Sequence, residues 1–167
     1  MSERWAKLIA IVMGVSGSGK TTVGMLLAAH LECKFADADD YHPSANVAKM
    51  CAGTPLNDAD RAPWLDVLRE LIRKHLKANQ NLVLACSALK AAYREHLGSS
   101  DDVKVIYLKG DYDLFAERLR NRIGHYMPPR LLDSQFDTLE EPHDALIVDA
   151  TKSPEAIVAQ IKDALSL

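Results

Sequence analysis

The chain has 167 residues, 48% of them hydrophobic and 26% charged, a balance that fits one soluble domain able to bury its own core. Its formal net charge of -3 excludes a general binder of nucleic acid or anionic membrane, which needs a basic surplus.

"KLIAIVMGV" is a short run rich in Ile and Val that ends in glycine, and it reads as a buried strand. Val23, Leu26, Leu27 and Leu31 recur at helical spacing, so a helix is predicted from near Lys20 to near His30. "KFADAD" is a second strand that ends in carboxylates. Pro43 allows a helix start, and "SANVAKMCAG" is a short helix closed by Gly53. Asp60 is the expected cap of a longer helix with Pro63 in its first turn, where a missing N–H costs nothing. Trp64, Leu65, Leu68, Leu71, Ile72 and Leu76 mark its buried face.

Asn81 to Ser87 form a third strand, "ALKAAYREHLG" a helix, and "VKVIYLKG" a fourth strand. "DYDLFAERLRNRI" is a helix with an acidic cap. "GHYMPPR" breaks the pattern before "PRLLDSQFDTLE" resumes as helix. "DALIVDA" is the fifth strand, and a last helix has Ser153 as cap and Pro154 in its first turn. Strands alternate with helices throughout. That pattern predicts a five-stranded parallel sheet covered by helices on both faces, with ligands at the carboxyl ends of the strands.

Cys33, Cys51 and Cys86 have no C-x-x-C spacing and are expected as buried or half-buried free thiols. The run Leu8 to Met13 is too short to span a bilayer and lacks a cleavage site. A reducing cytoplasm is the expected compartment.

"GVSGSGKTT" carries the strongest chemical signal. Gly14, four residues, then Gly19, Lys20 and Thr21 match G-x-x-x-x-G-K-[ST]. Glycines let the backbone curl so that several N–H groups face one anion, and the following helix adds its positive end. Gly14, Val15, Ser16, Gly17, Ser18, Gly19, Lys20, Thr21 and Thr22 are therefore the candidate ATP-binding residues. Lys20 supplies a mobile charge for the β- and γ-phosphates, and the Thr21 hydroxyl is placed for Mg²⁺. No N-K-x-D element for guanine is present, and the chain is short for a motor. A small P-loop kinase acting on a small molecule fits best.

Such a kinase needs a carboxylate that orients and deprotonates the acceptor hydroxyl. Asp37 and Asp39 are two residues apart and would share a face if both lay on a strand. Asp39 is the candidate base and Asp37 a candidate for the Mg²⁺ shell; a solvated acidic loop is the alternative. Lys49, Arg61 and Lys90 are cations able to grip an anionic acceptor, or else surface charges. His42, beside Pro43, is equally open. The third strand ends at Ser87, where P-loop enzymes often carry a metal-binding carboxylate. Arg118 and Arg122 are four apart, as on one helix face, just before "GHYMPPR". A lid carrying arginines would close on the phosphates there and exclude water.

Taken together, "MGVSGSGKTTVG", "DADDYHPSANVAKMCAGTPLNDADRAPWL", "LACSALKAAYREHL", "GHYMPPRLLDSQFDTLE" and "LIVDA" resemble the small P-loop gluconokinases nearly end to end. The phosphate loop identifies little beyond the superfamily, whereas the later blocks are far more specific. The resemblance implies ATP-dependent phosphorylation of D-gluconate at O6. It implies one adenylate-kinase-like domain over residues 1–167, strand order 2-3-1-4-5, and a lid near residues 122–138. By analogy with shikimate kinase it places Arg118 beside adenine, Arg122 on the phosphates and Asp39 at the acceptor hydroxyl, so that Lys20, Asp39 and Arg122 form the catalytic set. Family members commonly form homodimers. Thr21 stands where many members carry Ser, and Tyr126 where Phe is common. The rival readings are a kinase for shikimate or another sugar acid, and an ATP-binding module without transfer activity.

Overall fold

The computed structural model describes residues 7–122 and 128–167. Its five strands are β1 (Ile9–Met13), β2 (Lys34–Asp37), β3 (Leu82–Ala85), β4 (Val103–Lys109) and β5 (Leu146–Asp149). They form one sheet in the order β2-β3-β1-β4-β5, and every neighbouring pair is parallel. The helices among the described residues are α1 (Lys20–His30), α2 (Ser44–Cys51), α3 (Asp58–Lys77), α4 (Ala91–Leu97), α5 (Tyr112–Arg120), α6 (Pro129–Thr138) and α7 (Pro154–Leu165).

The alternation of side chains along β1 builds two cores, one on each face of the sheet. Ala10 and Val12 face a core that also holds Val23 and Leu27 of α1, Phe115 of α5, and Ile157, Val158 and Ile161 of α7. Ile9, Ile11 and Met13 face the other, with Trp64, Leu68 and Ile72 of α3 and Tyr93 and Leu97 of α4. All five β1 residues are buried. A strand hidden on both faces needs apolar residues at every position, which is why "IAIVM" shows no polar alternation.

Several local expectations change. The cap of α3 is Asn57, not Asp60. The Asn57 side chain accepts from Asp60 N at 2.8 Å, and Asp60 Oδ2 accepts from Asn57 N at 3.0 Å, a reciprocal capping box. Pro63 consequently falls one turn deeper into the helix. The fourth helix starts at Ala91 rather than Ala88, because Ala88 has a left-handed φ of 44° that helical backbone cannot continue. Strand β2 stops at Asp37, and residues Ala38–Tyr41 form a 3-10 turn. Asp37 and Asp39 thus do not share a strand face. Helix α5 ends at Arg120, so Arg122 lies beyond it and not on its surface with Arg118. Cys51 is exposed, contrary to the expectation of a covered thiol.

Candidate active site

The cradle runs directly from the buried end of β1 into α1. Gly17 has φ 83° and Gly19 φ 96°, left-handed values that an L side chain adopts only with strain. At Gly17 a Cβ would also meet the Phe115 carbonyl oxygen at 2.9 Å. Gly19 caps α1 without any side-chain hydrogen bond, so the first N–H groups of that helix face outward without a capping acceptor. Lys20 Nζ donates to the Val15 carbonyl at 3.0 Å, which folds the ammonium back over the loop. Desolvation lowers the Lys20 pKa, opposed most by Asp39 and then by Cys86 and Asp37, while Arg122 lowers it further. Ser18 Oγ is the buried side-chain oxygen that lacks a hydrogen-bond partner among the described residues, and it sits inside this loop. Open amides, a cation and unspent polar capacity suit a polyphosphate.

Thr21 Oγ1 donates to Asp37 Oδ2 at 3.0 Å, and Asp37 Oδ1 accepts from Asp39 N at 3.0 Å. A hydroxyl beside a carboxylate is a hard-oxygen donor pair of the kind Mg²⁺ uses together with phosphate oxygens and water. No group of three or more His, Cys, Asp or Glu that could hold a metal occurs among the described residues. Thr21 and Asp37 are the side chains beside the loop that could hold a magnesium ion together with phosphate oxygens.

Beside the loop lies a cavity of about 340 Å³ lined by Gly17, Gly19, Thr22, Arg118, Arg122 and Pro154, among others. Its volume lies in the range of small-molecule sites. Arg118 is fixed from three sides: Nη2 donates to Ala150 O at 2.6 Å, and Nη1 donates to Gly17 O at 3.4 Å and Ser18 O at 3.5 Å. The structure thus brings Arg118 and Arg122 to one cavity although they do not share a helix. A larger cleft of about 940 Å³ between α4, β4 and residues 140–146 includes Glu95, Asp101, Glu140, Glu141 and Asp144 against Arg94 and Lys104. That excess of carboxylates is a poor match for a nucleotide, and none of the loop residues lines it.

On the other side of Lys20 a second cavity is lined by Ser16, Lys20, Asp39, His42, Arg61 and Gln135, among others. His42 stacks on Trp64 with ring centroids 4.2 Å apart. Its Nδ1 faces the Asn46 amide nitrogen at 3.3 Å, which makes Nδ1 the acceptor and leaves the proton on Nε2, 3.8 Å from Asp39 Oδ1. Desolvation lowers the His42 pKa, against Asp39, which raises it; Arg61 lowers it too. Arg61 is buried, and its Nη1 donates to the Tyr93 hydroxyl at 3.2 Å. Lys49 and Lys90 do not line this cavity. Lys49 Nζ donates to both Asp60 oxygens at 2.9 and 2.8 Å, and Lys90 Nζ to both Asp58 oxygens at 3.0 and 3.2 Å. Both lysines brace the start of α3. Asp58 also accepts from the Tyr93 hydroxyl, and Tyr93 and Lys90 hold its carboxyl below the usual carboxylate range.

Two contributors went unnoticed in the sequence. Gln135 on α6 reaches the loop: Ser16 N donates to its Oε1 at 2.7 Å, and its Nε2 donates to Ser16 Oγ at 3.0 Å. Arg94 on α4 donates to the carbonyls of Ala88, Leu89 and Glu140 at 2.8, 3.1 and 2.9 Å, which holds the turn after Ser87. Neither has a local signal, because each partner lies far away or is a backbone carbonyl. Of the expected lid near 122–138, residues 123–127 lie outside the described residues, and Tyr126 with them.

A five-stranded parallel sheet in this order, with a phosphate cradle between a nucleoside-sized cavity and one lined by Lys20, Arg61 and Asp39, defines a small P-loop kinase. The family model described as shikimate kinase matches residues 16–166. A probable gluconokinase of Xenopus tropicalis is 46% identical, the match covering 93% of this chain and 92% of that protein. A gluconokinase of Gluconobacter oxydans is 44% identical over 90% of this chain and 87% of its own length. The crystal structure of a gluconokinase from Sinorhizobium meliloti superimposes with a TM-score of 0.86 at 37% identity, covering 96% of this chain and 93% of that one. The chain belongs to the gluconokinase family.

Proposed function

We propose that this protein transfers the γ-phosphoryl group of ATP to O6 of D-gluconate. The observation that carries the reading is the cavity in which Lys20 and Asp39 face buried Arg61: it joins phosphate chemistry, a carboxylate base and a cation suited to an acid. Relatives named gluconokinase at 44–46% identity supply the acceptor's identity.

The loop amides and the α1 N-terminus hold the phosphates, Arg118 flanks the nucleoside end, and Arg122 reaches from the same cavity to the phosphates as the third member of the catalytic set. Asp39 accepts the proton of the attacking hydroxyl, with the His42 Nε2–H beside it to orient the carboxylate. Arg61 meets the carboxylate of gluconate, since a planar guanidinium pairs with it through two parallel hydrogen bonds. Lys20 stabilises the charge of the transferred group, and most of the acceleration comes from alignment and fixed charge. Mg²⁺, held through Thr21 and Asp37, supplies charge neutralisation to the phosphates when bound. Lys49 ties the acceptor arm, residues 38–57, to the start of α3, and Lys90 braces the same helix end, in place of direct substrate contact. We place the enzyme in a reducing cytoplasm, as a one-domain kinase with a lid around residues 122–138 and with the homodimeric state that the family resemblance implies.

The test is an ADP-release assay across gluconate, shikimate, other sugar acids and water. Gluconate is expected to give the highest rate, and Lys20→Ala is expected to lower it at least about 100-fold, the scale on which single charge-stabilising groups act. Equal ADP release with gluconate and with water sinks the reading. ATP binding with no phosphorylated acceptor in the panel points instead to a module without transfer activity.

A further inference from the structure

Gln135 spends both ends of its amide on one residue of the phosphate loop, 119 positions away. The Ser16 N–H it accepts from belongs to the third residue of the cradle, on the side that faces Asp39 rather than the nucleoside cavity. Five residues earlier on the same helix, Arg130 Nε donates to the Gly53 carbonyl at 2.8 Å, and its Nη2 donates to that carbonyl as well. Gly53 has φ 75° and closes α2, the helix that carries Asn46 and Lys49. Between these two contacts Leu131 and Leu132 are buried, which anchors α6 in the body of the protein. One rigid helix about 7–8 Å long between the two anchor points therefore touches both the donor loop and the acceptor arm.

We propose that Gln135 is a positioning residue through which occupation of the acceptor cavity aligns the phosphate loop, so that acceptor and nucleotide bind synergistically. This rests on the kinase reading above. An acceptor held between Asp39, His42 and Arg61 fixes the arm, the arm fixes Gly53, and Arg130 transmits that position along α6 to Gln135 and Ser16. The coupling is reciprocal, so nucleotide must tighten acceptor binding by the same factor. Gln135 itself neither accepts a proton nor bonds to phosphorus. It orients the amide of Ser16 at the point where donor meets acceptor.

The test uses the full chain as wild type, Gln135→Ala, Gln135→Glu and Arg130→Ala. Wild-type turnover of the acceptor panel comes first and bears on the gluconate reading alone; the acceptor used afterwards is whichever one wild type phosphorylates. The Kd of the non-hydrolysable analogue AMP-PNP is then measured without and with saturating acceptor. Acceptor is expected to tighten wild-type binding by at least about 5-fold, the lower end of ordinary coupling. In Gln135→Ala that ratio is expected to fall to within about twofold of unity and kcat to fall about tenfold or more, with the acceptor-free Kd changed far less. Gln135→Glu keeps an acceptor for Ser16 N–H, so its fold is safeguarded. Its charge opposes the γ-phosphate, so kcat is again expected to fall. Arg130→Ala is expected to lose the ratio without touching the loop. A merely structural Gln135 would shift the melting temperature and the acceptor-free Kd together and leave the ratio intact. That outcome overturns the proposal, as does a wild-type ratio of one or an Arg130→Ala ratio equal to wild type.

Discussion

His42 lies face to face with the Trp64 indole, and its side chain is only 4% exposed. A charged imidazolium there loses hydration that its neighbours only partly replace, and Arg61 adds repulsion. The folded protein therefore holds its His42 proton more weakly than the unfolded chain does. The unfolded state binds more protons below the ordinary value of 6.5, so this contribution to stability is present above that value and is lost as pH falls through the lowered folded value. Urea midpoints measured at about pH 7.5 and about pH 5 are expected to drop less for His42→Gln than for wild type. An equal drop in both would show that His42 does not titrate across folding. None of this was legible in "DYHP", where a histidine beside a proline has no partner in view. The stack with Trp64 depends on a helix that starts 16 residues later.

At the scale of elements, each helix end records a local choice. Helix α1 closes with a Schellman motif: Cys33 N donates to Ala28 O at 3.0 Å and Glu32 N to Ala29 O at 3.2 Å. The residue forced left-handed is Glu32, at φ 49°. Glycine would relieve that strain at a smaller cost in unfolded-chain entropy, so Glu32→Gly is expected to stabilise the fold by about 0.5–1 kcal/mol. A thermal or urea unfolding curve checks the sign; a lower midpoint would show that Glu32 makes an offsetting contact. Element identity was legible because core-facing residues repeat with helix or strand period, as in Trp64, Leu65, Leu68 and Ile72. Exact ends were less so. Asn57 and Asp60 are both good cap residues, and only the reciprocal bonds decide between them. Ala88 gives no warning of its left-handed turn, because alanine is the best helix former and Arg94 holds the bend from outside.

At the scale of the molecule, the site is a seam between two halves that share one sheet. Parallel alternation predicts that loops gather at one edge, and the cradle, Asp37, Ser87 and Ala150 do so. What sequence order hides is which loop meets which: Gln135 beside Ser16 and Arg118 beside Ala150 are products of closure, not of spacing. Ligand linkage is the readout at this scale. AMP-PNP at about 100 times its Kd is expected to add about 2.7 kcal/mol to the unfolding free energy, a rise of roughly 5–10 °C in Tm for a domain of this size. Lys20→Ala is expected to show much less at the same concentration. An undiminished shift in that variant would place the nucleotide elsewhere.

The position of β1 also divides the protein into a part that resists remodelling and a part that invites it. The phosphate loop grows from the central strand, which is 0% exposed along its length and wedged between the two cores. Any change of tilt there propagates through packing on both sides. Residues 38–57 instead hang from the edge strand β2 on a 3-10 turn and a short, largely exposed helix. A protein engineer seeking a different alcohol acceptor would keep the chassis around β1 untouched and rewrite that one peripheral module, retaining Asp39 and His42 for the proton transfer and Gly53 as the socket for Arg130.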